Sequence, residues 1–308
     1  MKTHRRRLRF LPFVAFSGAA LACVLVARGS AAAPPAGPAA GSDGRIVIDR
    51  LPYTINACGS YVLHRCLQGV PGEAGITIRV SHVTLDLNGF SLLGVPGTLD
   101  GIVVPVTASP RRDVVIRNGS LVGWGEDGLD ARGAADGRYE DLRAYDNAFN
   151  GLTVGPDATV FGCHADANGV HGIESTGGGG IIDRCTATHS GVHGIVTSRD
   201  GTIVCKSVAR GNAQSGFKIL SSDLVEGCVA SENYRGFHIV GIGNRVEENL
   251  ATRNDVGYDA QSTTNLILRN GANNNGVEYD LFANDFGAIL ADPGPGFVNE
   301  EPWVNFEF

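Results

Sequence analysis

Residues 160–173 (VFGCHADANGVHGI), 182–195 (IDRCTATHSGVHGI) and 225–238 (VEGCVASENYRGFH) share one grammar. A branched apolar residue is followed three places on by Cys, two further by Ala, and three further by Asn or Ser. A Gly then precedes another apolar residue. The beat extends well beyond these three copies. Alanine stands at 144, 165, 187, 209, 230, 251 and 272, and Asn147, Asn168, Ser190, Asn212, Asn233, Asn254 and Asn275 follow each by three places. The Gly-apolar pair recurs from Gly101-Ile102 to Gly276-Val277 in steps of 27, 23, 21, 22, 22, 20, 21 and 19 residues.

A period of that length makes the repeat the first fact about the fold. Apolar residues alternate over three to five positions within each copy, which calls for short strands, and residues 75–275 carry no sustained helical pattern. Three short strands per coil close into a triangle that stacks on the next coil about 4.8 Å away. The alanines then line an interior column too narrow for larger groups. The asparagines sit at a corner, each amide bonding its equivalents above and below. A leucine-rich repeat has similar spacing, but its two middle leucines are here Cys, Ser or Asn and then always Ala. The expected fold is all-β, a single-stranded right-handed parallel β-helix of about ten coils. Its repeats span 76–278, with caps at 45–75 and 279–308.

The V-x-x-C-x-A-x-x-N coils from 160 to 275, with Leu51-Pro52-Tyr53-Thr54-Ile55 and Val83-Thr84-Leu85-Asp86-Leu87-Asn88-Gly89, resemble the parallel β-helix repeat proteins of the pectate-lyase-like superfamily. The resemblance implies the fold and leaves the activity open, because one scaffold hosts many functions. Members of known activity are mostly lyases, hydrolases or epimerases of acidic polysaccharides; others are adhesins. Val170-His171-Gly172 and Val192-His193-Gly194 differ from the Gly-His-Gly of polygalacturonases. That family's N-x-D, paired Asp and R-x-K are not in place, and the D-P-H-E box of alginate epimerases is absent. No catalytic residue carries over.

Residues 1–32 read as an export signal: a basic start to Arg9, an apolar run from Phe10 to Ala27, and small residues up to Ala32. Residues 33–44 (APPAGPAAGSDG) form a flexible linker. The expected product is a secreted, periplasmic or cell-surface protein with no membrane insertion after signal removal. With the six bases of the leader gone, 19 bases face 32 acids, and that excess repels phosphates, so no nucleic-acid partner is expected. The sequence carries no signal for or against self-assembly. Cys58 and Cys66 flank a Gly-Ser turn and could close a hairpin disulfide in an oxidising compartment. Cys163 and Cys185 fall in the inward register and read as a buried thiol column, with a disulfide between them as the alternative; Cys228 lies a further coil beyond Ser207, too far to bridge Cys185, and Cys205 faces outward.

Two places after each Gly the side chain should point outward, giving the column Asp130, Thr153, Glu174, Val196, Lys218, His238 and Asp259. The residue before each Gly adds Asp127, Asn150, His171, His193, Ser215, Arg235 and Val256. On this face His238, His193 and Glu174 are the candidate general acids or bases. Lys218, Arg235, His171 and Asp259 are the candidate substrate contacts. The bland reading is a solvated sheet face with no ligand. No cofactor is expected; Asp127, Asp130 and Asp136 are the one modest candidate for Ca2+. The expected function is binding, with cleavage by a lyase or hydrolase route, of an extracellular acidic polysaccharide. The alternative is a non-catalytic structural or adhesive surface protein.

Overall fold

Strands of three to five residues, each with one or two side chains facing in, cannot bury an apolar face alone and must stack on copies of themselves. The computed structural model describes residues 43–282, 284–291 and 303–307, and among these every regular element is a β-strand. The expected leader 1–32 and most of the linker lie outside the described residues. No helix among the described residues is long and apolar enough to cross a membrane. The strands form two parallel sheets, of eleven and of twenty-two strands. The first takes one strand per coil, from Tyr53–Ile55 through His171–Ser175, His193–Thr197, Ser215–Ile219 and Arg235–Ile239 to Val277–Leu281. The second takes two per regular coil, such as Thr159–Phe161 and His164–Asp166.

The alanines pair in one unbroken line, Ala144 on Ala165, Ala187, Ala209, Ala230, Ala251 and Ala272, all fully buried. In the same core runs an aromatic stack, Phe217, Phe237 and Tyr258 after the motif glycines and Tyr279 in register after them, with ring centroids 4.9, 4.9 and 5.0 Å apart. That separation is the coil spacing itself. The motif glycines are demanded by close approach rather than by a left-handed backbone. A Cβ on Gly194 would lie 2.6 Å from the Gly216 carbonyl oxygen and 3.0 Å from the Ala209 Cβ.

The corner asparagines do what their spacing predicts. Asn212 accepts the Ser190 N–H at Oδ1 and donates Nδ2 to the Ala187 carbonyl and to Asn233 Oδ1, and the pattern repeats through Asn254 to Asn275. Each is preceded by a residue in the left-handed region, among them Ala167, His189, Glu232 and Arg253 with φ of 49–59°. This conformation swings the chain round the corner and leaves backbone groups for the amide to satisfy. A second ladder runs Cys228, Asn249, Asn270 and Asn305. A third runs Thr202, Asp223, Asn244, Asn265 and Asn284 at the corner following the eleven-stranded sheet. The third carries no alanine marker and escapes a reading keyed to that residue.

Three local expectations change. Cys58 and Cys66 are not on a hairpin: Gly59–Leu63 lies between them, paired in parallel with Ile46–Ile48 and Val83–Asp86, and both thiols are free. A five-residue strand moves its ends roughly 16 Å apart, well beyond disulfide reach. The stretch expected as an N-terminal cap thus supplies the first rungs, Tyr53–Ile55 pairing in register with Ile76–Ile78. At the other end Tyr279 pairs with Tyr258, so Glu278, not Gly276, stands at the motif-glycine place. Its carboxylate accepts the Asn275 N–H and amide and so ends the corner ladder. Cys163, Cys185 and Cys228 are free and buried, as the inward register requires.

Candidate functional site

In the eleven-stranded sheet the residues after each glycine turn inward, which leaves the residue before it and the one two places after it on the outer face. The register aligns Asp130, Thr153, Glu174, Val196, Lys218, His238, Asp259 and Asp280 on successive coils. The residue before the glycine forms a ladder of its own. Asp127 N–H donates to Asp100 Oδ1 (3.0 Å), Asn150 N–H to Asp127 Oδ1 (2.8 Å), His171 N–H to Asn150 Oδ1 (2.9 Å) and Ser215 N–H to His193 Nδ1 (3.2 Å). These side chains hold the coils together through one polar atom, while the second accepts the Thr153 hydroxyl in Asp127 and donates to Thr153 and Glu174 in Asn150.

At the C-terminal end of the face, His171 and His193 stack with centroids 5.1 Å apart. Because His193 Nδ1 accepts a backbone N–H, its proton sits on Nε2. Burial first, then the positive neighbours His171, Lys218, His238 and Arg235, push His193 down to about 3. It is therefore a neutral hydrogen-bond donor at ordinary pH and a poor general base. Burial also lowers His171 and His238. The buried nitrogens His171 Nδ1 and His238 Nε2 have no hydrogen-bond partner. Arg235 lies on the strand rather than in the turn. Its guanidinium is tied to Asp259 and covers the Tyr234 ring at 4.6 Å. That pair spends Arg235 and Asp259 on each other and leaves Lys218, half-buried, with no ion pair among the described residues.

Two coils before Lys218, past the apolar rung of Val196, both carboxylate oxygens of Glu174 are engaged, by Asn150 Nδ2 (3.1 Å) and Ser198 Oγ (2.9 Å). Glu174 forms the rim of a cleft of about 310 Å³ lined by Asp100, Glu126, Asp127, Arg132, Phe149, Asn150 and Thr153. Asp130 stands beside the lining residues Asp100 and Asp127, and the three bring oxygens within 4.8 Å of one another. Burial, then the charges of Asp130, Glu126 and Asp127, drive Asp100 up to about 7 against the N–H it accepts. Burial raises Asp127 as well, although Thr153 Oγ1 at 2.6 Å and the Asn150 N–H stabilise its anion. Arg132 grips Asp130 with Nε at 2.9 Å and an Nη at 2.6 Å.

Asp136, grouped in the sequence with Asp127 and Asp130 as a cation site, pairs instead with Arg112, and Asp100 takes its place. Asp100 was legible in principle, since it precedes Gly101 as Asp127 precedes Gly128. Arg132 and Phe149 come from turns and carried no periodic signal. The three carboxyls are the residues that could hold a divalent ion. Three ligands fall short of the six to eight oxygens calcium takes, and Arg132 already supplies positive charge.

No curated protein sequence matches the chain. Among solved structures it is similar to the A-module of the mannuronan C-5 epimerase AlgE4 of Azotobacter vinelandii. That likeness has 13% identity and a TM-score of 0.54, over 73% of this chain and 82% of the other. It is also similar to the AlgE6 A-module of the same organism, with 14% identity and a TM-score of 0.51, over 85% and 87%. At such identity the likeness is one of fold. The model of the right-handed β-helix region matches residues 100–270, more than half of the sequence, and the chain belongs to that family.

Proposed function

We propose that the protein binds a polysaccharide along the outer face of the eleven-stranded sheet and hydrolyses it in the carboxyl cleft. The observation that carries this reading is Asp100, a carboxyl raised to about 7 beside Asp127 and Asp130 on an open groove. A carboxyl raised to about 7 beside a second whose anion is stabilised by a hydroxyl and a backbone N–H is the arrangement glycosidic hydrolysis needs. Asp100 donates its proton to the glycosidic oxygen while Asp127 attacks the anomeric carbon. Water then releases the sugar from the resulting ester, giving its proton back to Asp100. Oxygens within 4.8 Å suit this double displacement better than the roughly 6.5–9.5 Å that leaves room for a water between two carboxyls. Phe149, 53% exposed, offers a sugar ring an apolar face at the rim.

The mannuronan epimerase modules that share the fold make polymeric sugars the class to test first. Hydrolysis by the aspartates replaces the histidine route, because the lone pair of His193 is occupied and its basicity low. Export through the leader, with action outside the cytoplasm and without a cofactor, belongs to the same proposal. Purified mature protein is incubated with a polysaccharide panel, reading both reducing ends and the absorbance of unsaturated products. Reducing ends should rise without that absorbance, unaffected by chelator, and Asp100→Asn should slow the reaction by about 100-fold or more. Unsaturated products would mean a lyase. A panel left intact would favour the structural or adhesive reading.

A further inference from the structure

We propose that Glu126 and Phe149, neighbours at the mouth of the carboxyl cleft, receive the ammonium and the apolar face of an amino sugar. The inference rests on the cleft reading and adds the substrate class: a polymer whose sugars carry free amines.

Glu126 and Phe149 both line the cleft, each two places before a motif glycine, Gly128 and Gly151. The Phe149 N–H donates to the Glu126 carbonyl at 3.2 Å, which sets the two on consecutive coils about 4.8 Å apart. The other lining acids have partners. Asp100 accepts the Asp127 N–H, Asp127 the Asn150 N–H and the Thr153 hydroxyl, and Glu174 the Asn150 amide and the Ser198 hydroxyl. Arg132, the one base of the lining, grips Asp130. Among the described residues the exposed Glu126 carboxylate has no hydrogen bond or ion pair, and no cation lies over the Phe149 ring. Tyr234 stands at the same place before Gly236, and there the Arg235 guanidinium covers the ring at 4.6 Å. The position thus accepts a cation on an aromatic face, and at Phe149 the described residues supply none.

A pyranose that bears an ammonium fits this pair. Its C–H face lies on the ring, its charge is drawn to the ring face and to the carboxylate, and its N–H groups donate to Glu126. A neutral sugar laid over Glu126 would strip water from the carboxylate and return no charge. A uronate would bring a further anion to four lining acids, on a chain with more acids than bases. The ammonium also bears on the chemistry. Glu126 is among the charges that raise Asp100, behind burial, so pairing it leaves burial and the remaining acids to hold the proton. Asp100 then becomes a readier donor when polymer is bound.

The test is calorimetric binding of glucosamine hexamer, its N-acetylated form, galacturonic acid hexamer and a lysine hexamer, below the pKa of the sugar amine. Asp100→Asn is the common background, to prevent turnover. The amine hexamer should bind at least about tenfold more tightly than its acetylated form, as one charged hydrogen bond would give. Glu126→Gln should lose that preference while keeping its melting temperature and its affinity for the acetylated form, and Phe149→Ala should weaken the binding of both sugars. The proposal is overturned by equal affinity for the two sugars, by a preference that survives Glu126→Gln, or by tighter binding of the acid hexamer. It is overturned equally by a lysine hexamer that binds as tightly and depends on Glu126 as much, or by no binding of any probe. If the preference follows Glu126 but protein with Asp100 intact cleaves no amino polymer, the hydrolytic assignment fails and the recognition stands. If a neutral polymer is cleaved and the amine earns no preference, the hydrolytic assignment stands and the recognition fails.

Discussion

Ser215 donates its main-chain N–H to Nδ1 of His193 at 3.2 Å, in the column where Asp100, Asp127 and Asn150 accept the same group through oxygen. A histidine that looks like a catalytic base in the sequence is therefore a rung of a structural ladder. Its proton is fixed on Nε2, and burial beside Lys218 and Arg235 holds it neutral down to about 3.

Nitrogen-15 NMR of the imidazoles should show His193 as the Nε2–H tautomer, with no titration from about pH 8 to 5, although a free histidine changes charge near 6.5. In the unfolded chain it takes up a proton near 6.5 and in the folded chain only near 3. This group's share of stability is accordingly complete above 6.5 and declines as pH falls through that interval. A titration centred near 6.5 would overturn the ladder assignment.

Asp223 occupies a place in the third ladder that Asn244, Asn265 and Asn284 fill on later coils. It accepts the Thr202 N–H at 2.7 Å and the Thr197 hydroxyl at 2.6 Å, and burial raises it to about 6. A raised carboxyl favours folding below the unfolded value of 3.8, and that advantage is lost as pH rises toward 6. Asp223→Asn should therefore match the wild type near pH 4 and exceed it at pH 7 by about 1–2 kcal/mol. Chemical denaturation at the two pH values checks this; a variant weaker at pH 7 would mean that the charge itself is needed.

The motif glycine at 194 and Glu278 hold equivalent places, yet among the described residues only the first has a further strand of this sheet packed against it. Gly194→Ala should cost about 2–3 kcal/mol, because its Cβ meets a backbone oxygen that cannot move without shifting a coil. Glu278→Gly removes no clash but leaves the Asn275 N–H without its acceptor and the amide with the Ala251 carbonyl alone, at a cost of about 1–2 kcal/mol. Melting curves of the two variants should rank in that order.

Much of this molecule was open to a reading of its sequence. The alanine line, the Asn147-to-Asn275 corner, the inward thiols and the outward run Asp130 to Asp259 all emerge from the spacing of a few residue types. The Asp223–Asn284 ladder did not, because its members share no neighbour marker. Nor did the cleft, whose Arg132 and Phe149 lie in turns.

In a stack of coils each contact is with the next copy, so the chain's local period alone fixes which residues become neighbours. That much the sequence determined: the fold, the columns and their order. It could not determine what each polar group does once there. Asp100 is raised to about 7, His193 is lowered to about 3, Arg235 is bound to Asp259 and Lys218 is left over, and all of this depends on depth of burial and on which partner reaches which atom. Those quantities arise only when the coils have closed around one another, since charge responds to the whole surrounding volume and periodicity only to distance along the chain.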